Sequence, residues 1–371
     1  MKVVLVYDRV NRWGGAERVL LALHEIFPDA PLYTSVYSPE KNLWAKVFPQ
    51  IIPSFLNQVK YLRTRNQIIP YLMPIAFESF RFDNFDLVIS VSSEAAKGII
   101  TKPKTLHICY CLTPTRYLWS HYEFYFRGPA LKAITKPLVA YLRKWDKIAA
   151  QRPDVMIGIS TAVQQRIKKY YERESELIYP PVDVDKFKNP LAGRAGQNSN
   201  SKVKNNNLKF KEYYLVVSRL VPYKKIDLAI EAFNELGLPL VVVGKGSEGK
   251  KLKSIAKDNI EFLDLVPDSE LISLYKEAKA FIFPQEEDFG ITAVEAQAAG
   301  CPVIAYRGGG ALDTVIENKT GIFFGEQTKK SLVAAVKRFK GLDFKKEDLI
   351  DNSERFSKKI FQNKFLDLIN H

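Results

Sequence analysis

The sequence predicts an α/β protein of two doubly wound domains, each a parallel sheet flanked by helices. Three observations predict it. The chain has 371 residues, enough for two ordinary domains. Through its first half, short apolar runs alternate with helical patterns. The same rhythm restarts after a Pro-rich stretch, Ile178-Tyr179-Pro180-Pro181-Val182-Asp183, where consecutive prolines hold the chain extended.

In the first half, Val3–Val6 reads as a buried strand and Arg12-Trp13-Gly14-Gly15 as the loop that follows. Ala16–Phe27 then sets Val19, Leu20, Leu23 and Phe27 on one helical face. Further strands are expected at Leu87–Val91, Ile99–Thr101, Leu106–Cys111 and Val155–Ile159. After the prolines, strands are expected at Tyr213–Ser218, Leu240–Gly244, Ala280–Phe283 and Pro302–Tyr306, with helices at Lys225–Leu236 and Thr292–Ala299. The segment Asn189–Asn207, rich in Asn, Ser, Gly and Lys, reads as a loop. These readings give domains at 1–180 and 181–355, with a last helix at 356–371 that packs back on the first domain. In such an architecture ligands bind in the crevice between domains, at the carboxyl ends of strands.

Composition narrows the function classes. A hydrophobic fraction of 46% supplies buried cores and excludes a disordered chain. A net charge of +14 favours phosphate-rich partners, whether nucleotide, anionic lipid or nucleic acid. No zinc-finger spacing, RNA-binding signature or basic zipper accompanies it, so nucleic acid is not the expected partner. Cys109, Cys111 and Cys301 lack a metal-site spacing and read as buried thiols of a reducing compartment. Asp183-Val184-Asp185 follows the hinge prolines rather than a sheet edge, so no metal site is expected there. The N-terminus lacks a signal-peptide pattern and no run of eighteen apolar residues occurs, which predicts a cytoplasmic protein.

The strongest chemical signal is the run from Pro284 to Gly300, PQEEDFGITAVEAQAAG. It follows a strand and opens a helix. The turn from Asp288 to Thr292 presents free N–H groups at a helix N-terminus, a natural diphosphate site. Gly290 permits close backbone approach. Glu287 in the turn and Glu295 in the helix can accept from sugar or ribose hydroxyls. The alternative is an acidic loop capping a helix. Upstream, Val217-Ser218-Arg219-Leu220-Val221-Pro222-Tyr223-Lys224 ends a strand with Arg219 and Lys224. A guanidinium fork and an ammonium suit a departing diphosphate, against the alternative of a solvated basic turn. Gly244-Lys245-Gly246 and Arg307-Gly308-Gly309-Gly310 are weaker signals of close approach at strand exits.

Together with Gly14-Gly15-Ala16-Glu17, these residues resemble glycosyltransferase family 4, which has the GT-B fold of two Rossmann-like domains. The resemblance runs from Lys2 to the last helix around Phe356–Leu368. Within the family, the stretch from Cys111 to Trp119, CLTPTRYLW, is similar to bacterial mannosyltransferases of surface-polysaccharide assembly. The resemblance implies an acceptor-binding first domain and a donor-binding second domain. It implies retaining transfer of a hexose from a nucleotide diphosphate sugar, GDP-mannose by the narrower likeness, to a glycan or lipid-linked acceptor without metal or other cofactor. Glu287, Arg219 and Lys224 take the catalytic roles. Glu295 binds the ribose; Phe289, Gly290, Ile291 and Thr292, with Gly244 and Gly246, hold the rest of the donor. Gly14 and Gly15 face the donor phosphate.

Two positions depart from the family. Leu112 stands where many relatives carry His, and Asp288 stands where Gly is usual. His107 and His121 do not match the missing His. The stretch Lys60–Phe82, with Arg63, Arg65, Tyr71 and Phe77, suits either peripheral contact with the inner membrane face or packing against the first sheet. Competing activities are nucleotide-sugar hydrolysis or epimerisation on the same fold, and a non-catalytic basic nucleotide- or nucleic-acid-binding protein.

Overall fold

The computed structural model describes residues 1–65, 70–188 and 208–370, with side chains left out at 64 and 65. The predicted loop at Asn189–Asn207 lies outside the described residues. The chain divides into two compact units, Met1–Tyr179 with Lys364–His371, and Pro180–Asn363.

Among the described residues of the first unit, seven strands form one sheet: β1 (Val3–Tyr7), β2 (Leu32–Thr34), β3 (Ile51–Pro53), β4 (Leu87–Ser92), β5 (Leu106–Cys111), β6 (Val155–Gly158) and β7 (Glu176–Leu177). Their order is β3-β2-β1-β4-β5-β6-β7 and every pairing is parallel. β4 is buried along its whole length, as a strand covered on both faces must be. Helix α1 (Gly15–Ile26) buries Val19, Leu20 and Leu23, while Phe27 is only partly covered. Helix α2 (Met73–Glu78) sends Met73, Ala76 and Phe77 into the core with Phe80 and Phe82. Among the described residues of 60–82, these five are buried while Tyr61, Tyr71 and Ile75 are exposed. Helix α3 (Pro129–Ala149) buries Val139, Leu142, Asp146 and Ala149, and helix α4 (Thr161–Tyr171) is capped by Ser160 Oγ. From Lys364 on the chain belongs to this unit, with Phe365 fully buried beside Tyr110.

One expected strand is absent. Ile99–Thr101 is irregular. β5 occupies the edge of β4, pairing Leu87 with Leu106, so no place in the sheet is left for it. Ile99 is instead tucked into the core after a tight turn at Ala96–Gly98, and Lys102-Pro103 then turns the chain towards β5.

The second unit repeats the plan with β8 (Tyr214–Val217), β9 (Leu240–Val243), β10 (Ile260–Leu263), β11 (Phe281–Phe283), β12 (Val303–Tyr306) and β13 (Gly321–Phe324). Their order is β10-β9-β8-β11-β12-β13, again all parallel. Helices α5 (Ile226–Leu236) and α6 (Lys329–Phe339) cover one face, where Val216, Val242, Ile282, Ile304 and Ile322 form the core with Ile230, Phe233, Leu332 and Val336. α5 stops at Gly237, whose φ of 65° forms a left-handed C-cap.

Each sheet reverses its strand order beside its first strand, between β1 and β4 and between β8 and β11. In the first unit one carboxylate joins the two diverging loops. Asp8 accepts from the backbone N–H groups of Ser93, Glu94, Ala95 and Ala96 at 2.6–3.0 Å. Arg9 pairs with Glu94, and Tyr117 Oη donates to Glu94 at 2.9 Å. Deeper, Lys97 pairs with Asp146 at 2.6 Å with both side chains 1% exposed. Burial works against the ammonium, but Asp146 outweighs it and holds the pKa above the ordinary lysine value. Thr115 and Trp119 also donate to Asp146, so its carboxylate is fully engaged.

Cys109, Cys111 and Cys301 are buried free thiols. Burial pushes Cys109 up to about 11. His107, wholly buried on β5, has Nε2 2.8 Å from Ser90 Oγ. Burial, helped by Arg173 and Arg152, lowers its pKa to about 3. It is therefore neutral when folded and protonates on unfolding below its ordinary value of about 6.5. The unfolded chain then binds more protons, so stability is lost as pH falls from about 6.5 towards 3. Unfolding by urea across this range should show a steeper pH slope for the wild type than for His107→Gln, by up to one proton's worth.

Candidate functional site

The carboxyl ends of β8, β9, β11 and β12 carry the loops in which most of the predicted site residues lie. After β8 the chain makes a tight turn at Pro222–Lys224 and enters α5 through Lys225, whose φ of 53° is left-handed. That unusual conformation for a non-glycine residue fixes where Lys224 points. After β11 the chain runs from Pro284 to Gly290, whose φ of 95° turns it into helix Ile291–Ala298.

Lys224 and Glu287 meet across the strand-order reversal between β8 and β11. The Lys224 ammonium pairs with Glu287 Oε1, with side chains 11% and 23% exposed. Gln285 Nε2 donates to the same oxygen at 2.8 Å. Gln285 is 2% exposed, and its Oε1 has no partner among the described residues. On the other side, Arg219 Nη2 donates to Tyr223 Oη at 2.5 Å, and Lys224 Nζ lies 5.4 Å from the Tyr223 ring centroid. Tyr223 thereby joins the two basic residues. Arg219 is exposed while Lys224 is almost buried.

The loops are held by glycines where backbone meets backbone. A Cβ on Gly244 (φ 137°) would stand 1.9 Å from Ser218 O, and one on Gly246 would stand 2.1 Å from Leu220 O. The loop after β9 is thus seated on the loop after β8, fastened by Leu220 N–H to Lys245 O at 3.0 Å. On the far side, Gly310 N–H donates to Glu287 O at 2.8 Å. A Cβ there would stand 2.3 Å from Phe289 Cα, and one on Gly309 (φ 60°) would stand 2.2 Å from Glu287 O. The glycine triplet after β12 therefore braces the turn that carries Glu287.

The remaining predicted residues fall elsewhere. Phe289 is buried, its ring 5.4 Å from that of Phe356. Ile291 and Thr292 open the helix and are part-exposed. Glu295 is 2% exposed in mid-helix, and Tyr275 Oη lies 3.5 Å from its Oε2. Gly14 and Gly15 belong to the first unit, at its own strand-order reversal, where Gly14 is extended and Gly15 begins α1. The same first turn buries Glu17, whose carboxylate accepts from Tyr7 Oη at 2.6 Å. Burial raises the Glu17 pKa although Tyr7 opposes it. His121 Nδ1 lies 2.8 Å from Ser120 Oγ at the surface. Among the described residues no group of three or more His, Cys, Asp or Glu is arranged to hold a metal.

Sequence reasoning missed Tyr223, Gln285 and the bracing role of Gly309 and Gly310. Tyr223 and Gln285 sit inside the runs already singled out, next to charged residues. Nothing in a single sequence shows which charges they meet.

Residues 197–356 match the model of the glycosyl transferases group 1 family. This segment, less than half of the chain, is similar to that family. The GDP-mannose-dependent alpha-(1-6)-phosphatidylinositol monomannoside mannosyltransferase of Mycobacterium tuberculosis (strain CDC 1551 / Oshkosh) is 32% identical over 189 residues, 46% of this chain and 48% of that enzyme. The match thus spans about half of that relative's length. Alpha-1,3/1,6-mannosyltransferase ALG2 of Dictyostelium discoideum is 23% identical over 359 residues, covering 83% and 82% of the two chains. Among solved structures, Anabaena Alr3699/HepE in complex with UDP superposes with a TM-score of 0.68 at 17% identity over 100% of both chains. Sucrose-phosphate synthase from Thermosynechococcus elongatus gives 0.72 at 15% identity over 100% and 98%. The fold is GT-B.

The group 1 segment contains β8 to β13 and the whole Arg219–Tyr223–Lys224–Glu287–Gln285 chain of contacts. Chemically, this arrangement offers two cations to an anion and one carboxylate to hydroxyl donors, at the opening of a helix. Gly310→Ala should disturb it through backbone alone, because the new methyl meets the Phe289 main chain. Its melting temperature should fall by several degrees, whereas Gly325→Ala, with open space around the added methyl, should melt within about a degree of wild type.

Proposed function

We propose that the protein is a retaining glycosyltransferase that moves a hexose, mannose from GDP-mannose, onto a glycan or lipid-linked acceptor. The observation that carries this reading is the Lys224–Glu287 pair across the strand-order reversal. Such reversals are where open parallel sheets bind ligands. A donor diphosphate takes Lys224 and Arg219 as counter-charges, with the free N–H groups of the first turn at Ile291 and Thr292 beside it. Glu287, released from Lys224, accepts from hydroxyls of the donor sugar. Glu295 is assigned to the nucleotide ribose.

In the reaction the acceptor oxygen bonds to the anomeric carbon as its bond to the phosphate oxygen breaks. The acceptor's proton passes to the departing diphosphate on the same face, which retains configuration. No step is routed through a metal, because the growing charge on the diphosphate is met by Lys224, Arg219 and the helix terminus. The acceptor domain is assigned to the first unit, with Gly14 and Gly15 at its loop after β1. Mannose is supported by the mannosyltransferase relatives, and a lipid-linked acceptor by the mycobacterial one. HepE was solved with UDP, so the base is the first point to test.

Thermal melting with GDP, UDP, ADP and CDP, each with and without EDTA, should show selective stabilisation by GDP that EDTA leaves unchanged. At a ligand concentration one hundred times Kd the gain is about 2.7 kcal/mol. Equal shifts with every diphosphate, or none, would remove the base assignment.

Lys224→Met and Glu287→Gln should each lower kcat by about 10²–10³-fold with a cognate acceptor, consistent with lost charge stabilisation. Glu295→Gln should mainly raise the Kd for the nucleotide. Free sugar released without a new glycoside would instead identify a hydrolase on this fold. Wild-type kinetics in all three variants would remove these site assignments.

A further inference from the structure

Gln285 sits two residues before Glu287 in the segment that leaves β11, with exposed Glu286 between them. Its main chain is anchored, because the neighbouring Pro284 is buried and the Pro284 carbonyl accepts from Gln327 Nε2 at 2.9 Å. The Gln285 side chain is buried too, and its Nε2 donates to Glu287 Oε1 at 2.8 Å. Its own Oε1 is covered and has no partner among the described residues. The contact with Glu287 fixes the direction of the amide. Turned over, it would set Oε1 against a carboxylate oxygen, two acceptors with no proton between them. An unmatched buried acceptor destabilises a fold, and an apolar side chain of the same length would not carry that penalty. What the amide supplies at this position is an N–H on Glu287.

Lys224 also reaches Glu287 at Oε1, so two donors share one oxygen and neither of these contacts uses Oε2. A bound donor would treat the two differently. By the proposed function, the diphosphate takes the Lys224 ammonium as a counter-charge. The neutral amide of Gln285 carries no charge to be drawn away in this manner. It is the partner that stays with Glu287 once the diphosphate is in place. With Oε1 still held, Oε2 keeps a defined orientation in which to accept from a sugar hydroxyl.

We propose that Gln285 is a positioning residue, whose Nε2–H aims the Glu287 carboxylate at the donor sugar. The inference rests on the proposed function and deepens it. In this role Gln285 acts only through Glu287. Removing it should weaken the hold on the sugar and leave the hold on the nucleoside diphosphate as it was. A side chain that merely filled space after β11 would affect both.

The test is calorimetric titration of the full chain with GDP and, separately, with GDP-mannose. In Gln285→Met the Kd for GDP-mannose should rise about tenfold, as for one lost hydrogen bond to a charged group, while that for GDP stays within about twofold. Gln285→Ala should show the same split, so the outcome does not hang on one variant folding. On a Glu287→Ala background, Gln285→Met should weaken GDP-mannose no further, because residues that act through one another are not additive. Equal losses for both ligands overturn the proposal, as does unchanged GDP-mannose binding in Gln285→Met or full additivity with Glu287→Ala. A wild type that binds neither ligand removes the donor assignment itself, and this role with it.

Discussion

Both sheets depend on a carboxylate placed where the strand order reverses. At such a point the two loops leaving neighbouring strands diverge, and nothing in the sheet ladder holds them together. In the first unit Asp8 does so with four backbone N–H groups. Hydrogen bonds to a charged acceptor are worth more than neutral ones, so a single side chain can set two loops. In the second unit Glu287 reaches Lys224 instead. The first arrangement uses main-chain donors, the second a side-chain ammonium.

Rigidity around the Lys224–Glu287 pair comes from glycine. At Gly244, Gly246, Gly309 and Gly310 the main chain of one loop lies against the main chain of the next, with no room for a side chain. The loops after β8 and β9 are locked together on one side, and those after β11 and β12 on the other. Lys224 and Glu287 therefore project from braced loops, so their meeting costs little further ordering.

The doubly wound plan was legible because buried parallel strands are nearly continuous apolar runs, such as LVISVS in β4 and LVVV in β9. Shorter strands such as Glu176–Leu177 and Ile51–Pro53 escape notice, since two or three residues carry no period. Ile99–Thr101 misled for the opposite reason: an apolar run that is core without being strand. At the site, the Glu287 turn and the Arg219/Lys224 loop were legible from charge next to glycine and proline. The contacts linking them were not, because they join residues some sixty positions apart.

The three thiols have a practical consequence. Cys109 and Cys111 lie in the centre of the first sheet, and Cys301 lies beside β12 in the second. All are shielded, and burial raises the pKa of both Cys109 and Cys301, leaving little thiolate to react. A thiol-directed probe therefore reads opening rather than surface chemistry. Peptide mapping of the label would clock the two sheets separately within one intact chain, two reporters for the first and one for the second.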